Sequence, residues 1–354
     1  MKRKFILPLS LVIQIIVVKT IGSFPDFVES WYSKGFYPKL AFVSRKALGW
    51  LPFSVGDVIY FILILLLFRW IWKHRIDFFN EWKNNGLAIL GWVSMFYFFF
   101  HLLWGMNYYR IPLHEKLQIE KEYSVDQLKV FIEKMLVKTN ALQLQITKND
   151  SVAVVIPFSH AEIYNLALKG YENIPTDLQE FRYEVKSIKS SLFSYPLSYM
   201  GFGGYLNPFT NEAQVNYLKP KYTSPLTTCH EMAHQTGIGS ESECNFIGFV
   251  TAAKNEDLYF QYSAYSFALR YALHNLEIMQ EGSSEAYIKK INKGVLKNFE
   301  ENEIFWKEYQ TPINTFFEYF YDNFLKANQQ KDGMEGYSKF VGLAIGYGEM
   351  ISEK

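Results

Sequence analysis

The sequence predicts an α+β domain outside the cytoplasm, mostly helical with a small sheet, preceded by three transmembrane helices. Three observations carry this reading. Long apolar runs crowd the chain before residue 105, the remainder alternates helical periodicity with short strand-like runs, and one punctuated helix in that remainder carries His-Glu-x-x-His.

The apolar runs come first. Met1-Lys2-Arg3-Lys4 is a basic start, followed by apolar residues 5–21. The stretch Lys19-Thr20-Ile21-Gly22-Ser23-Phe24 lacks a small-x-small cleavage pattern, so this run reads as a retained first span, not a signal peptide. A second run covers 55–72, with Asp57 and Arg69 near its ends, and a third covers 87–104. Each approaches the roughly 20 residues that cross a bilayer. Trp70, Trp72, Trp82, Trp104, Tyr108 and Tyr109 collect at the ends of these runs, as an aromatic belt does. Residues 1–107 are therefore expected to form a membrane domain in contact with the lipid bilayer. Lys2, Arg3 and Lys4, together with the loop carrying Arg69, Lys73, Arg75 and Lys83, place the N-terminus and the second loop in the cytoplasm, against a loop between the first two runs that also carries Lys34, Lys39, Arg45 and Lys46, so the bias is modest. Residues 108–354 then form the extracytoplasmic domain of a multi-pass inner or plasma membrane protein.

Within that domain, Ser124-x-x-Gln127 opens a helix with Leu128, Phe131, Ile132, Met135 and Leu136 on one face. Residues 152–156 read as a strand, and Ser159-x-x-Glu162 opens a second helix through about Tyr171. A strand over 183–188 follows, then a hairpin over 201–217 around Asn207-Pro208. Beyond Val250 the chain is helical and aromatic, with Tyr259, Tyr262, Tyr265, Phe267 and Tyr271 at mixed helical spacings. Helices are expected over 286–309 and 312–327, and 340–351 reads as a packed helix rather than a fourth span.

The stretch 228–237 carries the chemistry. On a helix, His230 and His234 lie at i and i+4, so both imidazoles can point at one ion. Glu231 is next to the first of them, placed to reach a metal-bound water as general base without binding the metal itself. Zinc lowers the pKa of such a water to about 7. Ser224-Pro225 supplies an N-cap and a proline at the first helical position, and Gly237 and Gly239 supply a stop. Two core histidines spaced by accident are the bland alternative.

The third ligand comes from the following helix, where two carboxylates compete. Glu243 completes a capping box with Ser240, which is a structural task. Glu241 has Asn245 one turn later on the same face, the arrangement of a ligand with a hydrogen-bonding partner behind it. Glu241 is therefore the preferred ligand. A His-His-Glu set of this gluzincin-like type leaves a fourth position open, as a catalytic zinc site requires. One of the aromatic residues beyond Val250, or His160 or His274, is expected to donate to the oxyanion. The hairpin over 201–217 is a candidate edge for pairing with an extended substrate.

Composition limits the alternatives. A formal net charge of +1 with no basic stripe argues against a nucleic-acid partner. Two cysteines make no disulfide framework, and Cys229 and Cys244 read as small buried residues beside the site, with a bridge or a regulatory thiol as alternatives.

The combined pattern resembles an uncharacterised bacterial family of membrane proteins, the domain of unknown function 3810. The resemblance rests on Leu51-Pro52-Phe53-Ser54, Trp104-Gly105-Met106-Asn107-Tyr108-Tyr109, Asn207-Pro208-Phe209-Thr210 through Val215-Asn216, and Phe324-Leu325-Lys326-Ala327-Asn328. Its most specific part is Cys229-His230-Glu231-Met232-Ala233-His234-Gln235 with Glu241-x-Glu243-x-Asn245-Phe246. The resemblance implies a zincin-like extracytoplasmic peptidase with no settled substrate. Glu241-x-x-x-Asn245 is similar to the Glu-x-x-x-Asp of membrane-linked zinc peptidases, whose first carboxylate binds metal. The metzincin pattern fits at Gly237 but fails at Ser240, where its third histidine would stand.

The expected function is a membrane-anchored zinc metallopeptidase hydrolysing peptide bonds of peptide or protein substrates. A zinc amidase acting on cell-wall material keeps the site and changes the bond. A zinc-containing scaffold or peptide-binding ectodomain is the non-catalytic alternative, and it has no use for Glu231.

Overall fold

The computed structural model describes residues 5–330 and 339–353. Lys2, Arg3 and Lys4, on which the expected orientation partly rests, lie outside them.

The first apolar run folds as α1 (Ile6–Gly22). The loop expected between the first two runs is instead helical. It forms α2 (Pro25–Phe27), a π-helix over Val28–Phe36, and α3 (Tyr37–Leu48), bent by 93° from α1. The cause is long-range. Glu29 is buried there in an ion pair with Arg110 (2.8 Å), and Ser33 Oγ donates to Asn107 Oδ1 (2.9 Å), so its polar groups have partners beyond the third run.

α4 (Val55–His74) and α5 (Trp82–Leu103) are each long and apolar enough to cross a membrane, and α1 with its bent continuation is a third candidate. Ser54 caps α4, its Oγ accepting from the Asp57 N–H at 2.9 Å. α1 packs along α5 through polar groups: Ser10 Oγ and Ser94 Oγ share a 2.9 Å hydrogen bond, and Gln14 Nε2 donates to Ser94 Oγ at 3.0 Å. Such contacts hold helices together where hydrocarbon offers no hydrophobic drive.

A 3-10 turn over Gly105–Tyr109 and α6 (Leu113–Leu117) lead into α7 (Val125–Thr147) and α8 (His160–Glu172). Both long helices begin with the predicted capping boxes, at Ser124/Gln127 and Ser159/Glu162. Residues 152–156 form no strand. The Asn298 carboxamide takes both sides of Val154 instead, accepting from its N–H (2.9 Å) and donating to its C=O (3.2 Å), so the extended chain is satisfied without a neighbouring strand. The strand expected over 183–188 shrinks to β1 (Ile188–Ser190), because Tyr183 turns into the core and donates its hydroxyl to Gln235 Oε1 (2.7 Å).

After α9 (Ser194–Tyr199), the expected hairpin is present as β2 (Gly204–Asn207) and β3 (Glu212–Val215). β3 lies in the middle of the sheet, parallel to β1 and antiparallel to β2, with Leu206 opposite Ala213. β2 is therefore an edge strand.

α10 (Ser224–Gln235), α11 (Glu241–Ala253) and α12 (Leu258–Met279) form the centre of the second half. The helix expected over 286–309 divides into α13 (Glu285–Ile288) and α14 (Lys293–Glu308). Asn292 at the break bonds to α7 instead, its N–H donating to Asn140 Oδ1 (2.9 Å) and its Nδ2 to Gln143 Oε1 (2.8 Å). α15 (Pro312–Ala327) and α16 (Phe340–Glu353) complete the chain, and α16 is packed as expected, with Phe340 and Val341 fully buried. The core joins Ile132, Ile163, Met232, Phe246 and Phe260 from α7, α8, α10, α11 and α12.

Candidate metal centre

α10 positions the two histidines. A 3-10 turn over Lys221–Thr223 runs straight into it, so Ser224 already has helical dihedrals (φ −65°, ψ −38°) and the cap position falls to Thr223, not Ser224. Pro225 occupies the first turn as expected. Gly237 stops the helix with φ +92°, a conformation that a side chain would strain.

α11 crosses α10 closely. A Cβ at Gly248 would lie 3.0 Å from the His230 backbone nitrogen, so the absent side chain lets the two helices approach. The approach brings Glu241 Oε2 to 3.2 Å from His230 Nε2 and 3.5 Å from His234 Nε2. Donor atoms of His230, Glu231 and His234 also fall within 4.8 Å of one another. Both Nε2 atoms thus lie near one oxygen of Glu241, while the group of donor atoms within 4.8 Å of one another contains Glu231.

The far sides of the rings are occupied. His230 Nδ1 faces Asn245 Oδ1 at 2.8 Å, and His234 Nδ1 faces the Ile238 carbonyl at 2.9 Å. Carbonyl oxygens only accept, so each Nδ1 carries a proton and each Nε2 is the ring atom turned toward the Glu241 carboxylate. Three electron-rich atoms facing one point are stable only with a cation between them or with extra protons. Asn245 was expected to partner Glu241, and its Oδ1 faces His230. Tyr321 of α15 supports Glu241, its hydroxyl donating to Oε1 at 2.6 Å.

Glu243 makes no capping box, and Ser240 has no side-chain cap bond. Its carboxylate turns away from the histidines and accepts from the Leu113 N–H (2.7 Å) at the start of α6. Of the two carboxylates, Glu241 faces the histidines and Glu243 faces Leu113.

Glu231 sits beside the histidines with Oε2 buried and lacking any hydrogen-bond partner among the described residues. A Cβ at Gly204 would lie 2.5 Å from its Oε1, so the edge strand β2 passes directly over this carboxylate. Burial raises the Glu231 pKa above the usual carboxylate range, with His230 and His234 working against it. Burial also opposes ionisation of Glu241, but His234 and His230 hold its pKa well below that range. For His234, burial disfavours the cation, yet Cys244 and Glu241 raise its pKa well above the usual value. Cys244 is itself a thiol pushed up to about 12 by burial, so the lasting cause at neutral pH is the Glu241 charge.

Cys229 and Cys244 are both free and buried, and Cys244 Sγ lies 3.2 Å from His234 Nδ1. Of the residues expected to face an oxyanion, Tyr271 and His274 line the same cavity as the histidines. Tyr262 donates to Asn298, Tyr265 packs on Phe249, Tyr259 packs on Phe158, and His160 packs on Tyr164 and Tyr217. The cavity has a volume of about 1280 Å³, with the edge strand on one side, α12 on another, and Phe96, Phe100 and Trp104 from the end of the third apolar run on a third.

Tyr321 had no signal in the sequence. It lies 80 residues from Glu241, in an aromatic helix whose pattern reads as packing.

A model of the family described as "Protein of unknown function (DUF3810)" matches residues 32–345, and the chain belongs to that family. No curated protein and no solved structure matches the chain.

Proposed function

We propose that this member of the family is a membrane-anchored, zincin-like zinc metallopeptidase with Glu231 as general base. The observation that supports the reading best is the convergence of His230 Nε2, His234 Nε2 and Glu241 Oε2 beside a buried carboxylate that has no other task. The donor set fits zinc: two imidazoles with protonated Nδ1 atoms and one carboxylate make three protein ligands and leave a fourth position open. When bound, zinc would polarise a substrate carbonyl and activate a water for attack on it.

The chain's own residues supply the rest. His230, His234 and Glu241 hold the ion, with Asn245, Ile238 and Tyr321 fixing their orientation. Glu231 takes the proton of the attacking water and passes it to the leaving amine, a role suited by a carboxyl whose pKa burial has raised. β2 offers the free edge of the sheet to an extended peptide beside Glu231. We place the substrate side outside the cytoplasm on the charge bias of the sequence: the first turn of α4 bonds to Glu212 of β3, and the basic residues follow its last turn. A non-catalytic scaffold would leave the unpartnered Glu231 oxygen without a purpose.

The test uses the full chain in detergent, wild type beside Glu231→Gln. About one zinc per chain in both is expected. Cleavage of a quenched peptide library by wild type should fall by about a hundredfold to ten-thousandfold in the variant. Chains without zinc, or equal cleavage by both, would overturn the reading.

A further inference from the structure

The cavity has a second charged feature beside the histidine cluster. Lys219 follows β3 and folds its side chain back along α10, where its Nζ donates to Thr223 Oγ1 (2.9 Å) and to Thr227 Oγ1. The residue is only 5% exposed, and no carboxylate lies within ion-pair reach of it among the described residues. An ammonium has three donors, and two of them are spent on neutral hydroxyls. Burying such a cation is costly when the charge acting on it, that of Glu231, lies beyond ion-pair reach, so its place in the cavity asks for a purpose.

Its position suggests one. Thr227 is one helical turn before Glu231, so Lys219 Nζ lies along the cavity face of α10 next to the proposed base. The edge strand passes above: a Cβ at Gly203 would lie 3.9 Å from Lys219 Cδ and 3.7 Å from Thr227 Cγ2. Across the cavity, α12 contributes Arg270, an exposed guanidinium with no ion pair or hydrogen bond among the described residues and near enough to act on the Lys219 charge. Guanidinium presents a planar fork that matches a carboxylate, and ammonium presents a point charge. Burial pushes Lys219 down to about 7, Glu231 opposing and Arg270 adding to it, so a bound anion would hold the lysine charged.

Resting on the peptidase reading of the neighbouring centre, we propose that Lys219, held in place by Thr223 and Thr227, forms with Arg270 an anion-binding subsite, and that the substrate is a peptide with a carboxylate close to the bond cleaved. A free C-terminus and an acidic side chain share that chemistry. A peptide laid on β2 would carry its reacting carbonyl toward Glu231 and a neighbouring carboxylate toward Lys219.

The experiment compares paired peptides on the full chain in detergent: C-terminal carboxylate against carboxamide, and internal Asp or Glu against Asn or Gln. Wild type should prefer the carboxylate member of one pair, and which pair identifies the source. In Lys219→Met and in Arg270→Gln, the preference ratio in kcat/KM should shrink by about tenfold to a hundredfold. Arg270 is exposed, so its variant keeps the test valid if Lys219→Met fails to fold. Affinity of the same peptides for Glu231→Gln, measured calorimetrically, gives a readout that needs no turnover. Cleavage without preference, or an undiminished ratio in both variants, overturns the subsite and leaves the peptidase. Preferential binding without cleavage by wild type supports the subsite and overturns the peptidase.

Discussion

α4 and α10 are both helices of ordinary geometry, and they are opposites in what they bury. Leu63 is 45% and Phe68 63% exposed in α4, while Gly56 and Asp57 are its buried residues. In α10 every residue except Thr227 is buried, the histidines and Glu231 included. An apolar surface of that extent costs free energy in water, so α4 is built for hydrocarbon, and the few groups it buries serve to attach it. Asp57 accepts from the Leu192 N–H (2.7 Å), from Ser191 Oγ (3.0 Å) and from the Tyr205 hydroxyl. The first two N–H groups of α4 donate to the Glu212 carboxylate of β3, which also holds Lys189. α10 is attached in the same manner at its other end. Its last carbonyls accept from Trp104 Nε1 at His234 (3.2 Å) and from the Tyr37 hydroxyl at Gln235 (3.0 Å), and Arg110 reaches the Gly237 carbonyl (2.9 Å). Those are groups that a helix end leaves unsatisfied. The lesson is that the membrane half supplies part of the C-terminal cap of the helix that carries His230 and His234, so contacts cross residue 107 beside the candidate site.

The strongest way to break this arrangement is Glu212→Ala. It strands the Lys189 ammonium in the interior and frees the Val55 and Gly56 N–H groups, which donate to Glu212 at 3.1 and 2.6 Å. Loss of one partner of a buried pair costs about 3–5 kcal/mol. A large fall in the Tm of the detergent-solubilised chain is expected, with part of it recovered in the Glu212→Gln, Lys189→Met double variant. An unchanged Tm would mean that the two regions are joined by other contacts.

Tyr37→Phe is a milder cut at the other attachment. It removes the bond to the Gln235 carbonyl and the one accepted from Asn211 Nδ2 (2.7 Å), inside a fully packed site. The expected loss is about 1–2 kcal/mol of stability. On the zinc reading proposed above, a weaker hold on the ion should accompany it, read by competition with a chelator. Loss of stability with unaltered metal affinity would show that the cap supports the fold and not the centre.

These attachments also mark how far the sequence could be read. Capping boxes at Ser124 and Ser159, the hairpin around Asn207 and the His230–His234 spacing are local patterns, and the structure contains each of them. What was missed is non-local. Residues 25–48 looked like a loop because the buried pair of Glu29 lies on Arg110, and 152–156 looked like a strand because its partner is a single carboxamide on Asn298. Glu243 fitted a capping box by spacing, and only the position of Leu113 shows where its carboxylate goes. Tyr321 and Lys219 belong to the cavity through tertiary placement alone. Short-range chemistry is written in the chain, whereas the identity of a long-range polar partner is not.

The smallest expected effect sharpens the comparison on the membrane side. Ser94 is fully buried between α5 and α1, bonded to Ser10 and Gln14. In water-soluble interiors, loss of a buried hydrogen-bonded hydroxyl costs about 1–3 kcal/mol where a partner is left unsatisfied, and here Gln14 Nε2 keeps only its bond to Ser10 Oγ (3.2 Å). Between membrane helices the separated state also finds partners, and interhelical hydrogen bonds there average about 0.6 kcal/mol. Ser94→Ala should therefore lower stability by about that smaller amount, although the residue is as buried as any in α10. The fair control is Asn298→Ala, which strips both bonds from Val154 in the helical core and belongs to the larger range. Denaturation of both variants in the same detergent measures the gap. If Ser94→Ala proves as costly as Asn298→Ala, the α1–α5 contact is packed like a water-soluble interior, and the contrast between α4 and α10 would not extend to it.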